Sequence, residues 1–139
     1  MSANPTIDRL LNNVPDAPTL VLEQLQQHPQ LASQQDSHGY SLVHAAASYG
    51  HVELLRTLIE QYKVDVNIKD EDGETALFSV EAVEMAKELL DLGIDANAQN
   101  DEGQTAAEKL NDEDEQPLVA AFLRDTAQRG VSWQAPQTQ

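Results

Sequence analysis

Residues 36–59 carry an apolar and polar pattern that organises the reading of the whole chain. Asp36 and Gly39 signal a turn. A short helical run follows, broken by a second turn at Gly50-His51, and then a longer helix with periodic apolar positions reaches Ile59. The pattern restarts at Asp70, with Gly73, Thr75 and Leu77 in matching places. A helix-turn-helix unit recurring at about 33 residues is the mark of a solenoid, in which each unit buries its apolar face only against its neighbours. The expected fold is all-α, and its expected work is recognition of another protein.

The flanks fit weaker copies of the same unit. Thr6 to Asn12 reads as a short helix with Thr6 as N-cap. Pro18 to Gln27 reads as a second, with Leu20, Val21 and Leu25 at helical spacing. His28-Pro29 ends it, since proline disfavours a helical residue before it. A third unit begins at Asn100 with Gly103, Thr105 and Ala106, passes through Asp112 to Glu115, and ends in a helix from about Pro117 to Arg124. Pro117 suits a first helical turn. From 127 to 139 there is no apolar period, and a mobile tail is expected. Trp133, the chain's single tryptophan, lies there, placed to dock on the solenoid or anchor a partner.

Residues 36–69 resemble an ankyrin repeat. Asp36, Gly39, Ser41, Val43, His44, Ala46, Ala47, Gly50, His51, Glu53 and Leu54 occupy the family's slots, and Asp65-Val66-Asn67 closes the unit. Leu42 stands where the family has proline, and Tyr62-Lys63-Val64 replaces its glycine step. The next unit keeps Asp70, Gly73, Thr75 and Leu77, carries Phe78 in place of the histidine, and closes with Gly93-Ile94-Asp95 and Asn97. Between Thr75 and Gly93 it is short by the Gly-His corner, so Ser79 to Val83 must make that corner and the first helix should be abrupt or distorted. The resemblance implies an all-α ankyrin repeat solenoid over 1–126. Its parts are a cap at 3–35, repeats at 36–69 and 70–99, and a C-terminal cap at 100–126.

Composition narrows the picture. Aromatics are 4% of the chain, so Leu, Val, Ile and Ala must build the core. With no cysteine there is no disulfide, thiol nucleophile or Cys-based zinc site, which suits a reducing compartment. No apolar run approaches the roughly 20 residues that span a bilayer, and Met1 to Pro5 lacks the regions of a signal peptide. A cytoplasmic location, with the nucleus as a second, is expected. The net charge of −16 is unevenly spread: residues 65–115 carry 17 acidic side chains against Lys69, Lys87 and Lys109. Such a field repels nucleic acid and anionic membranes and attracts basic partners.

Candidate chemistry meets framework explanations. Asp36, Ser41 and His44 are the residue types of a hydrolytic triad, but in an ankyrin repeat these slots hold the turn and bond to the adjacent loop. His44 and His51 sit at opposite ends of a short helix with no third metal ligand in view. Asp70 to Gly73 lacks the spacing of a calcium loop, and the six glycines are scattered at turns. No catalytic residue, metal or cofactor is expected.

The resemblance implies a partner on the concave side, formed by turn tips and first helices. The corresponding residues are Ser37, His38 and Tyr40, then Glu71, Asp72 and Glu74, then Asp101, Glu102 and Gln104, with Ser48 and Tyr49 on the first helix. Five of the six positions in the later two tips are acidic. The expected ligand is a Lys/Arg-rich segment of a ribosomal or other nucleic-acid-binding protein, bound by a chain that is monomeric when free. Reversing Glu71, Asp72 and Glu74 to lysine should weaken binding without lowering stability. Small acidic ankyrin chaperones of ribosomal proteins are similar in class. Four-repeat ankyrin inhibitors of cyclin-dependent kinases share the size and a shortened helix, which keeps an enzyme regulator or a general adaptor as alternatives.

Overall fold

The structure is a computed structural model that describes residues 6–112 and 117–128. Helix α1 (Ile7–Asn13) is capped by Thr6, whose hydroxyl accepts from the Arg9 N–H at 3.2 Å. Helix α2 (Pro18–Gln27) opens with proline, where a backbone N–H would have no helical partner. It buries Val21 and Leu25. Leu20, expected on the same stripe, is 38% exposed, because it sits about 100° around the helix from Val21. His28 ends α2 as expected, and a 3-10 turn at Pro29–Ser33 then buries Leu31 and Ala32.

The first full repeat contains α3 (Leu42–Tyr49) and α4 (Val52–Arg56). Every residue of α3 from Leu42 to Ala47 is buried, which its three consecutive alanines permit by allowing close approach. Gly50 ends the helix at φ 76°. α4 runs directly into a π-helical turn, Thr57–Gln61, in which the Tyr62 N–H reaches the Thr57 carbonyl at 3.2 Å. The spacing explains this turn. Asp36 to Asp70 is 34 positions, one more than the unit of about 33, and a π turn stores one surplus residue in a helix. The chain then leaves through Lys63, at φ 59°. The replacement at 62–64 is thus resolved in two places: lysine takes the left-handed exit, and the extra residue is absorbed upstream.

The second repeat has the opposite problem, since Asp70 to Asn100 is only 30 positions. Its first helix contracts to a 3-10 turn, Ala76–Ser79, and Val80 is already extended. The chain turns the expected corner and enters α5 (Val83–Asp91). Gly93, at φ 101°, closes α5 with the Ile94 N–H bonded to the Leu89 carbonyl at 3.0 Å. The third unit comprises α6 (Ala106–Asp112) and α7 (Pro117–Gln128), packed on each other. α7 extends past the expected end at Arg124, while Trp133 and the remainder of the expected tail lie outside the described residues. One apolar cluster runs from Ile7 to Leu123 without interruption. No unit owns a separate core, so each depends on its neighbours.

Candidate protein-binding surface

Three turns between the units are built alike, and their backbone dictates which side chains face outward. In the first, Asp36 Oδ1 accepts from the His38 and Tyr40 N–H groups at 2.8 and 2.9 Å. Asp70 accepts from Asp72 and Glu74 at 2.9 and 3.0 Å, and Asn100 from Glu102 and Gln104 at 2.9 and 3.0 Å. The tips then stack. Glu71 N–H donates to the His38 carbonyl, and Asp101 N–H to the Asp72 carbonyl, each at 2.9 Å. Gly39 is needed twice over: its φ is 77°, and a Cβ there would lie 2.7 Å from the Glu71 nitrogen.

Since backbone bonds and the short turn side chains hold the tips, the outward residues are free of framework duty. Ser37, His38, Glu71, Asp72, Asp101 and Glu102 are all exposed on the tips, as expected. His38 Nδ1 lies 3.3 Å from both Glu71 carboxylate oxygens. Asp72 is held above the usual carboxylate range, first by partial desolvation in its turn and then by the charges of Asp70, Glu71 and Glu74.

Glu74 corrects the expected set. Its side chain is only 13% exposed, paired with Lys109 Nζ and accepting from Asn100 Nδ2 at 3.0 Å. It is a tie between the second and third units. Lysine at this position would set two cations against each other, so the triple reversal expected to spare stability would lower it. Gln104 is also half-buried. Lys109 itself was missed by sequence reading. Counted from the turn residue, it occupies the place of the buried Ala45, and a lysine there must send its amine to a carboxylate.

On the first helix, Ser48 is half-buried and Tyr49 is 53% exposed. Tyr40 is the more enclosed tyrosine, stacked on the His44 ring at 5.4 Å between centroids. Burial is the main cause that raises its phenol above the usual range.

Asp36, Ser41 and His44 form the framework the resemblance implied. The Ser41 hydroxyl donates to His44 Nδ1 at 2.8 Å and accepts from the His44 backbone N–H at 3.3 Å. His44 Nε2–H donates to the Glu74 carbonyl at 2.8 Å. This tautomer satisfies both ring nitrogens. The ring is fully buried, and burial holds it below the usual imidazole range. A neutral, sealed and fully bonded histidine has no face to offer a substrate. Among the described residues, no group of three or more His, Asp or Glu side chains is arranged to hold a metal ion, and no helix is long and apolar enough to cross a membrane.

Stacked helical units with a continuous row of outward tips define a repeat scaffold for recognising other proteins. The family described as ankyrin repeats, in three copies, matches residues 11–100 and 44–125, and the chain belongs to it. It is similar to an ankyrin repeat-containing protein of Schizosaccharomyces pombe, at 42% identity over 89 residues, covering 63% of this chain and 42% of that protein. It is also similar to a probable serine/threonine-protein kinase of Dictyostelium discoideum, at 30% identity over 116 residues, covering 78% of this chain and 14% of that protein. The chain thus spans less than half the length of either relative. Ankyrin repeats generally mediate protein–protein interaction and are typically non-catalytic.

Proposed function

We propose that this chain is an acidic escort for a basic client, a Lys/Arg-rich segment of a ribosomal or other nucleic-acid-binding protein. The observation that carries the reading is the row of exposed tip carboxylates, Glu71, Asp72, Asp101 and Glu102, on turns whose backbone does not need them. A cationic partner would offset the charges of Asp70, Glu71 and Glu74 around Asp72. Each exposed pair contributes about 0.2–1 kcal/mol. Several together steer association and make it salt-sensitive. The reading includes a monomer when free and a cytoplasmic or nuclear setting, which the absence of cysteine suits.

A second reading, a module that regulates an enzyme, draws on the partial likeness to a probable protein kinase. Affinity capture with a salt gradient and mass spectrometry separates the two. The escort predicts basic proteins released at moderate salt, and their loss when Glu71, Asp72, Asp101 and Glu102 are changed to lysine. One enzyme retained through high salt, indifferent to that reversal, would replace the escort with the regulator.

A further inference from the structure

The shortened second repeat leaves the last turn of α3 without a neighbour. Counting from the turn residues, Ser41 corresponds to Thr75 and Ala45 to Ser79. Beyond Ala45, α3 continues through Tyr49, whereas beyond Ser79 the chain is extended at Val80 and turns away. In a regular solenoid the next inner helix would stand beside Ala46–Tyr49. Here that place lacks a helical turn, and Tyr49 is left 53% exposed at the end of a helix that is buried from Leu42 to Ala47. Four more observations describe the surroundings. The Tyr40 phenol lies within electrostatic reach of Tyr49, Asp36 and Asp70. Tyr40 is packed against the His44 ring, which fixes it. Asp36 and Asp70 are held in their turns by the N–H groups they accept. Glu81, on the corner that replaces the missing turn, is exposed.

We propose that Tyr49 is the anchor for an arginine side chain of the partner, seated where the second repeat lacks its inner-helix turn. This rests on the basic-partner reading and deepens it. An exposed aromatic face on a surface whose turn tips are acidic attracts a cation. Arginine fits better than lysine at equal charge: its guanidinium is flat, stacks on an aromatic ring, and keeps its donors in plane for surrounding carboxylates. Lysine presents a strongly hydrated point charge that gains less from the ring. The tip carboxylates respond to charge alone, so Tyr49 is where the surface distinguishes the two cations.

The test titrates the full chain with a short Arg-rich peptide and with the same peptide carrying lysine at every arginine. The arginine peptide should bind roughly three- to tenfold more tightly. Tyr49→Ala should erase that preference, and Tyr49→Phe should keep it, with thermal unfolding unchanged in both because the side chain is exposed. An arginine preference that survives Tyr49→Ala overturns the proposal, as does equal binding of the two peptides. If in either case Glu71→Lys with Asp72→Lys still weakens both peptides, the basic-partner reading stands without the tyrosine anchor. Binding by neither peptide overturns both.

Discussion

Among the described residues, Thr75 Oγ1 is a buried side-chain oxygen with no hydrogen-bond partner. Two local changes orphan it. Ser41, its counterpart, is satisfied by the imidazole and backbone N–H of His44, but the second repeat has Phe78 in the histidine's place. The Phe78 N–H is also diverted, because the 3-10 turn directs it to the Thr75 carbonyl at 3.1 Å. A buried hydroxyl left unbonded costs about 1–3 kcal/mol. Thr75→Val keeps the shape, removes the hydroxyl, and should raise stability by about 1 kcal/mol in chemical denaturation. Ser41→Ala should lower it by about 1 kcal/mol, since there a working cap is lost. Opposite signs at two equivalent positions are the expected result. A loss of stability on Thr75→Val would mean that the hydroxyl has a partner in solution.

At the scale of elements, the two departures from a regular repeat differ in how far sequence could read them. The corner after Ser79 was legible, because a missing Gly-His turn leaves too few residues for a full inner helix. The π turn at Thr57–Gln61 was not. A surplus of one residue has several outlets, and the one taken leaves Leu54, Leu55 and Leu58 all buried. The tip residues were legible from the family's spacing, but Glu74 was not, since its burial depends on Lys109 from the next unit. Helix exits yield a prediction. Lys63 holds a left-handed conformation that costs an L side chain about 1–2 kcal/mol. Glycine relieves it at the expense of about 0.4–1 kcal/mol of unfolded-chain entropy. Lys63→Gly should therefore stabilise by about 0.5–1 kcal/mol. Gly93→Ala should destabilise: its φ is 101°, and with no atom within 4 Å of the added methyl the cost is conformational alone. Unchanged unfolding midpoints in both variants would remove strain at the exits from the account.

At the scale of the molecule, the second repeat is a weak link in a one-dimensional array. In a solenoid, stability is a sum of each unit's own terms and its two interfaces. This unit has an inner segment of four residues without a side-chain cap, and the orphaned Thr75. Polar ties cross its interfaces beside the shared apolar core: His44 to the Glu74 carbonyl and Arg56 to Glu88 on one side, Glu74 to Lys109 and Asn100 on the other. These ties hold it between its neighbours but do not replace the missing turn. Opening of the second unit also strips α6 and α7 of their support, because α7 packs on α5 and α6 on the 3-10 turn. Native-state hydrogen exchange should show two tiers: α3 and α4 near the global stability, and Ala76–Val80, α5, α6 and α7 opening together about 1–3 kcal/mol below it. Phe78→His supplies the missing partner for Thr75 and should narrow the gap between tiers. A single tier across all helices would mean that interface ties alone make the array cooperative. Two tiers that Phe78→His leaves untouched would place the weakness in the missing turn and not in the lost cap.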